Sequence, residues 1–320
     1  LKSIISNSGK LEANGGIIKL SAATAKYLSR ASVNIGSSGM IVARSVNGKS
    51  GKVVIGSPIE DNIKIAGKID VSGHKSHSPS GIVTVRGRSV SHSVKNFAKG
   101  RSGGKVNIIS KDSIKLNGSI LAQGSIYKGG SVIFMSEKSI NSTPKVVVDV
   151  SAPNKAGEIR SLAKTTNTSS GLFKANSSAG KGGKIDLTGN SVQISKSEIS
   201  ATGNKMGGKV RIGGEYLGGK KLTNMDNKNK QGFVTRFGDQ PLIQNAKQTV
   251  VTADTNIDVS SEKGQGGTTV VWSDQMTDFN GKINAKGAET SALIVDKGGG
   301  NIFNSYVDPP RDTIKYKSCL

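Results

Sequence analysis

The stretch GGKVNIISKDSIKLNGSILAQG, residues 103–124, carries three pairs of apolar residues between glycines at its two ends. The pairs are Val106/Ile108, Ile114/Leu116 and Ile120/Ala122. Within each pair the residues are two positions apart, which is the period of a β-strand, so both side chains point to the same side. The stretch therefore predicts three short strands, each with one apolar face.

This arrangement recurs along the chain. Similar strands begin after the glycines at positions 51, 81, 104, 130, 157, 183, 208 and 267, and the first six intervals are 30, 23, 26, 27, 26 and 25 residues. Three one-sided strands cannot bury their apolar faces alone, but stacked units can pair each strand in parallel with its copy in the next turn. A β-sandwich would not require such a period. We therefore predict an all-β parallel β-helix (β-solenoid) with three short strands per turn of about 26 residues.

Two regions depart from this pattern. Residues 222–244 lack alternation and are rich in Asn and Lys, and residues 162–180 alternate only weakly. We interpret residues 1–300 as a single β-helix with a loop excursion at 222–244, and residues 301–320 as the C-terminal end segment of the repeat region.

The composition is consistent with a thin, repeated core. Hydrophobic residues make up 34% of the 320 residues, and 42 residues are glycine. No run of 18 or more apolar residues occurs, so we expect no transmembrane segment. The single cysteine, Cys319, excludes an intrachain disulfide and a cysteine-based zinc site. Because the chain starts at Leu1 without a signal-like segment, we expect it to be a piece of a longer protein.

The net charge of +23 comes mostly from lysine, since only nine of the 45 basic residues are arginine. Arginine is favoured for bidentate phosphate recognition, so a nucleic-acid partner is not expected. The position after the start glycine is lysine in four units, at Lys52, Lys105, Lys184 and Lys209. These side chains point outward. They are either ordinary solvated lysines or a weak, salt-sensitive site for sulfated glycans or other polyanions.

Parallel β-helices also serve as polysaccharide lyases and hydrolases, which require catalytic groups that face one substrate groove. Glycoside hydrolysis needs two carboxylates that face one groove, and the acidic residues are scattered singly apart from Glu60–Asp61. His74, His77 and His92 have no partners at metal-ligand spacing. We therefore expect a non-enzymatic protein with no catalytic residue, cofactor or metal. The outward-facing Trp272 is expected to cover neighbouring strands or a loop, with ligand stacking as the alternative.

Three segments carry a resemblance to a known family. GGKVRIGGEYLGGKKL (207–222), NAKQTVVTADTNIDVSS (245–261) and GGTTVVWSDQMTDFNGKINAKG (266–287) closely resemble the filamentous haemagglutinin-like exoproteins of bacterial two-partner secretion. Residues 15–46 and 301–314 are similar to other segments of that family. All the matched segments together cover about a third of the chain.

The resemblance implies a right-handed parallel β-helix that is exported through an outer-membrane transporter. It further implies a protein that is secreted or displayed on the bacterial surface as an adhesin, with a role in cell adhesion and virulence. Its partner would be a host-surface glycan or receptor. Within that family the chain would be a fragment downstream of the secretion domain.

Overall fold

The computed structural model describes residues 2–22, 30–57, 61–74, 77–215, 218, 243–288, 301–303 and 307–308. These residues form 27 β-strands and no α-helix, and the named strands pair in parallel. Between residues 52 and 212, residues paired on successive turns are 23 to 30 positions apart, as Val53, Val83 and Val106 illustrate. The predicted fold class is confirmed: the chain is a β-solenoid of about nine turns with about 27 residues per turn.

Each turn has three faces, here called A, B and C. Face A contains β3 (Ile17–Leu20), β6 (Lys52–Ile55), the first parts of β9 (Ile82–His92) and β11 (Lys105–Leu116), β13 (Ser131–Ser136), β16 (Glu158–Ala163), β18 (Lys184–Thr188), β20 (Lys209–Ile212) and β23 (Thr268–Val271). Face B contains β1 (Lys2–Asn7), β4 (Arg30–Ile35), β7 (Asp61–Ile65), the second parts of β9 and β11, β14 (Ser139–Ser142), the first parts of β17 (Thr166–Lys174) and β19 (Ser191–Ser200), β21 (Gln248–Val251), β24 (Met276–Phe279) and β26 (Asn301–Phe303). Face C contains β2 (Lys10–Glu12), β5 (Met40–Val42), β8 (Lys68–Asp70), β10 (Lys95–Phe97), β12 (Ser119–Leu121), β15 (Val147–Asp149), the second parts of β17 and β19, β22 (Asn256–Asp258), β25 (Lys282–Asn284) and β27 (Val307–Asp308).

The interior is filled by the apolar pairs that the sequence predicted. Val106, Ile108 and Ile114 are at most 1% exposed, and Leu187 and Val271 are fully buried. Burying one such side chain contributes about 1.5–3 kcal/mol, so every turn is stabilised by several of them. Because each side chain stacks on its counterpart in the adjacent turn, the core is one continuous column along the rod.

Glycines at the corner between faces C and A are required by close packing of the backbone. A Cβ atom on Gly157 would lie 1.9 Å from the carbonyl oxygen of Gly130, and one on Gly183 would lie 2.2 Å from the carbonyl oxygen of Gly157. None of these stacked glycines has a positive φ. Their role is therefore close approach of successive turns, which a side chain would prevent.

The weakly alternating region 162–180 forms a regular turn. Its interior position on face B is taken by Asn167, whose amide donates to the carbonyl oxygens of Ser161 at 2.8 Å and Thr188 at 3.1 Å. The Asn167 Oδ1 atom accepts a hydrogen bond from Ser169 at 2.8 Å. Polar side chains occupy an inward row here because they satisfy one another, and this removes the apolar signal from the sequence.

The predicted excursion falls between β20 and β21. Residues 222–242 lie outside the described residues, but both flanks are described, and they are held together. The backbone N–H of Glu215 donates to Asn245 Oδ1 at 3.0 Å, and the backbone N–H of Ile243 donates to Glu215 Oε1 at 3.1 Å. The chain therefore leaves and re-enters the rod at one corner.

Trp272 covers the start of this excursion, as predicted. The indole ring contacts Gly214 and Gly218, and its Nε1–H donates to Asp274 Oδ1 at 3.0 Å. The residue is 8% exposed, so its ring is unavailable for stacking on a ligand.

A buried charged cluster lies on the outside of face A, next to the point where the excursion begins. Arg211 donates to both carboxylate oxygens of Asp186 at 2.7 Å, and it pairs with Glu215 as well. Arg160 adds a bond to Asp186 at 3.2 Å. Arg211 is only 2% exposed, so these ion pairs are held in a low-dielectric environment.

Candidate functional site

The four predicted lysines lie on one row on the outer side of face A. Lys184 pairs directly with Lys209, as expected for consecutive turns. Between Lys105 and Lys184 the row is occupied by Ser131 and Glu158. Lys52 is separated from Lys105 by Ile82. The structure therefore brings only two of the four together as direct neighbours.

A second lysine row, which the sequence reasoning missed, runs beside the first. Lys128, Lys155 and Lys181 occupy equivalent positions on three consecutive turns and form a parallel bridge from each turn to the next. Each lies two residues before the start glycine of its unit. This placement was visible in the sequence as YKGGS, NKAGE and GKGGK.

The two rows face each other across the stacked corner glycines. We call this surface the lysine corner; it consists of Lys105, Lys128, Lys155, Lys181, Lys184 and Lys209. A shallow groove of about 520 Å³ follows part of it, and Lys105, Lys128, Lys155 and Lys184 line this groove together with several of the corner glycines. Successive rungs of a parallel sheet are about 4.8 Å apart, so the charges repeat at that spacing along the rod axis.

Few acidic groups offset this charge. Among the described residues, none of the six lysines forms an ion pair within 4.0 Å. The one carboxylate in the groove is Glu158, which accepts a hydrogen bond from Ser131 Oγ at 2.8 Å. The lysine corner is therefore a strip of net positive charge.

Lys209 is partly buried within this strip. Burial, followed by the charges of Lys184, Arg211 and Lys181, lowers the pKa of Lys209 to about 8. A bound anion would oppose the repulsion and favour the protonated amine. The arrangement suits a linear chain of anionic groups, which the ammonium groups would hold by charge and hydrogen bonding.

The three histidines considered in the sequence do not converge on one site. His74 and His77 lie together, with their Nδ1 atoms 3.0 Å apart, while His92 is inside the rod. Within the described ranges no three His, Cys, Asp or Glu side chains converge on a point that could hold a metal ion. The same ranges contain no helix long and apolar enough to cross a membrane.

Comparison with known proteins supports the fold. No protein-family model matches the sequence, and no curated protein matches it. Among solved structures, the chain is similar to the crystal structure of the HMW1 secretion domain from Haemophilus influenzae. The two share 18% identity and a TM-score of 0.51 over 98% of this chain and 94% of that chain.

Identity of this level establishes a shared fold alone. The resemblance to filamentous haemagglutinin-like exoproteins has no support from a sequence family. The similar structure is itself a secretion domain, whereas the sequence suggested a segment downstream of one.

Proposed function

We propose that this chain is a non-enzymatic β-helical segment of a secreted or surface-displayed bacterial adhesin, exported by a two-partner system. The rod would span distance and present binding surface to a host glycan or receptor. The observation that carries the proposal is the fold likeness to a secretion domain over nearly the whole of both chains. The three family-like segments support it, because they form consecutive passes of the rod from β20 to β25.

Export is tested by co-expression with the outer-membrane transporter encoded nearest to this gene. The full-length protein that contains this chain should accumulate in the medium or on the cell surface only when the transporter is present. Release that is equal without the transporter would contradict the two-partner route. Adhesion is tested separately with beads coated with the folded chain, which should bind host cells more than beads coated with the heat-unfolded chain.

The absence of catalysis is part of the proposal. Incubation with acidic polysaccharides such as polygalacturonate should yield no unsaturated or shortened products. Sustained turnover would identify the chain as a lyase or hydrolase and would overturn this proposal.

We propose a second function, polyanion binding at the lysine corner. Two facing lysine rows support it, since none of the six lysines forms an ion pair among the described residues and one carboxylate, Glu158, lies in the groove. The ligand would be a linear sulfated or carboxylated glycan lying along the rod, with affinity that falls as salt rises.

Heparin chromatography tests this with two variants of equal charge. The first replaces Lys181, Lys184 and Lys209 by glutamine, and it should elute at clearly lower salt than the unaltered chain. The control replaces Lys64, Lys111 and Lys115, three exposed lysines outside the corner, and it should elute close to the unaltered chain. Equal shifts for both variants would show that net charge alone governs retention.

A further inference from the structure

A second cavity lies on face C near the start of the described rod and shares no residue with the lysine corner. Its volume is about 910 Å³, and residues from four successive turns line it. Neither the adhesin proposal nor the polyanion site makes use of it.

The floor of this cavity is an outward aromatic ring. Phe97, the last residue of β10, pairs with Asp70 of the preceding turn and Leu121 of the following turn. The preceding residue, Asn96, points inward, so alternation places the Phe97 ring outside, where it is half-buried. Only 13 of the 320 residues are aromatic.

Three ammonium groups surround this ring. The Nζ atoms of Lys68, Lys95 and Lys99 are 4.8, 5.7 and 6.0 Å from the ring centroid. Cation–π attraction holds amines at such distances. Among the described residues none of the three forms an ion pair, so their charges remain available to an anion.

The neighbouring wall holds a neutralised carboxylate. Arg44 donates to Asp70 Oδ2 from Nε at 3.1 Å and from Nη2 at 2.8 Å. Burial would raise the pKa of Asp70, but the hydrogen bonds from Arg44 and Ser72 outweigh it and hold the pKa below its usual value. The Arg44 side chain is 54% exposed, so it can also donate to a ligand. Since Asp70 cancels one cation, the net charge around the ring comes from the lysines.

The rest of the cavity is rich in hydrogen-bonding groups. Asn14, Ser45, Ser72 and Ser78 contribute amide and hydroxyl groups to the lining, and His74 and His77 contribute ring nitrogens. A pyranose ring presents one face of C–H groups to an aromatic ring and directs its hydroxyl groups to polar partners.

From this combination we infer that the Phe97 cavity binds an acidic sugar, a pyranose unit that carries a carboxylate or a sulfate. The C–H face of the sugar stacks on Phe97, its anionic group lies beside Lys68, which lines the cavity, and its hydroxyl groups bond to the polar wall. The site is independent of the lysine corner, since it selects a single sugar unit by shape as well as charge.

Saturation-transfer NMR with small sugars tests the inference. The anionic probes are the methyl glycosides of glucuronic acid and N-acetylneuraminic acid, together with 6-O-sulfo-N-acetylglucosamine. Methyl glucoside and N-acetylglucosamine are the neutral controls. At least one anionic probe should bind at least about tenfold more tightly than the neutral controls.

Substitutions locate the binding. Phe97→Ala should weaken the binding of the anionic probe by at least about tenfold. Phe97→Leu, which matches the Leu121 of the next turn, should preserve the fold and still weaken binding. Lys68→Gln should reduce the preference for the anionic over the neutral sugar. The variant that lacks Lys181, Lys184 and Lys209 is the matched control and should bind the sugars normally.

Three outcomes would overturn the inference. The first is that no anionic sugar binds the unaltered chain. The second is that Phe97→Leu binds the anionic probe as tightly as the unaltered chain does. The third is that adenosine monophosphate binds more tightly than every sugar, which would make the cavity a nucleotide site.

Discussion

Replacing His92 by leucine should remove a pH dependence that this residue imposes on the stability of the rod. His92 lies in the interior of face B, paired with Ile65 and Leu116, and is 1% exposed. Asn96 Oδ1 accepts from the backbone N–H of Ile69, so its amide nitrogen is the donor to His92 Nε2, at 2.7 Å. The imidazole is therefore neutral with its proton on Nδ1.

The size of the effect follows from the pKa. Burial, opposed in part by the hydrogen bond from Asn96, lowers the pKa of His92 from 6.5 to about 4. Between these values the unfolded chain binds a proton that the folded chain does not, so stability is lost as the pH falls. Each pKa unit is worth about 1.4 kcal/mol, so the loss between pH 7.5 and pH 4.5 is about 2.5 kcal/mol.

Two measurements check this. The ring signal of His92, identified by its absence from the His92→Leu variant, should titrate near pH 4 in NMR spectra. Urea unfolding measures the free energy of unfolding at pH 7.5 and at pH 4.5. The decrease in this free energy on acidification should be about 2.5 kcal/mol larger for the unaltered chain than for the variant. The variant also leaves the Asn96 amide without its acceptor, but that cost is the same at both pH values. A His92 signal that titrates near 6.5, or equal pH dependence in both proteins, would refute the reasoning.

Three further substitutions test the packing by thermal and urea unfolding. Gly157→Ala should destabilise the rod by about 3 kcal/mol or more, because its Cβ would lie 1.9 Å from a carbonyl oxygen of the preceding turn, whereas Gly9→Ala has open space and should be neutral. Arg211→Met should cost about 3–5 kcal/mol, since it leaves the carboxylate of Asp186 without its bidentate partner; a loss below about 1 kcal/mol would mean that water reaches this pair. Thr269→Val should stabilise by about 1 kcal/mol, because the buried hydroxyl has no partner among the described residues, and a destabilised variant would reveal one.

The interior of the rod could be predicted residue by residue. The inward position is set by two local rules, the two-residue alternation within a strand and the glycine at each corner, and both are visible in a single unit. The prediction weakened over residues 162–180 because Asn167 and its serine partners replace apolar side chains there. Hydrogen bonds between turns compensate for that exchange, and a reading based on hydrophobicity does not detect them.

The outer surface could be predicted only in part. The pairing of Lys184 with Lys209 follows directly from the repeat, and the second lysine row could have been found from the lysine two residues before the start glycine in three successive units. The sequence also shows that Ser131 and Glu158 occupy the same repeat position as the lysines. That they interrupt the lysine row becomes evident only when the strands are aligned in the structure.

The sequence by itself determined that this protein is a stack of three-sided turns, because burial of regularly placed Ile and Val residues has one efficient solution at this period. Only the tertiary structure decided which outward side chains become neighbours. Arg44, Asp70 and Phe97 are 26 and 27 residues apart, and they meet because parallel stacking brings equivalent positions of successive turns together. The corner loops differ in length from turn to turn, so the register that aligns these residues is set by backbone hydrogen bonding between turns, an interaction that carries no side-chain signature in the sequence.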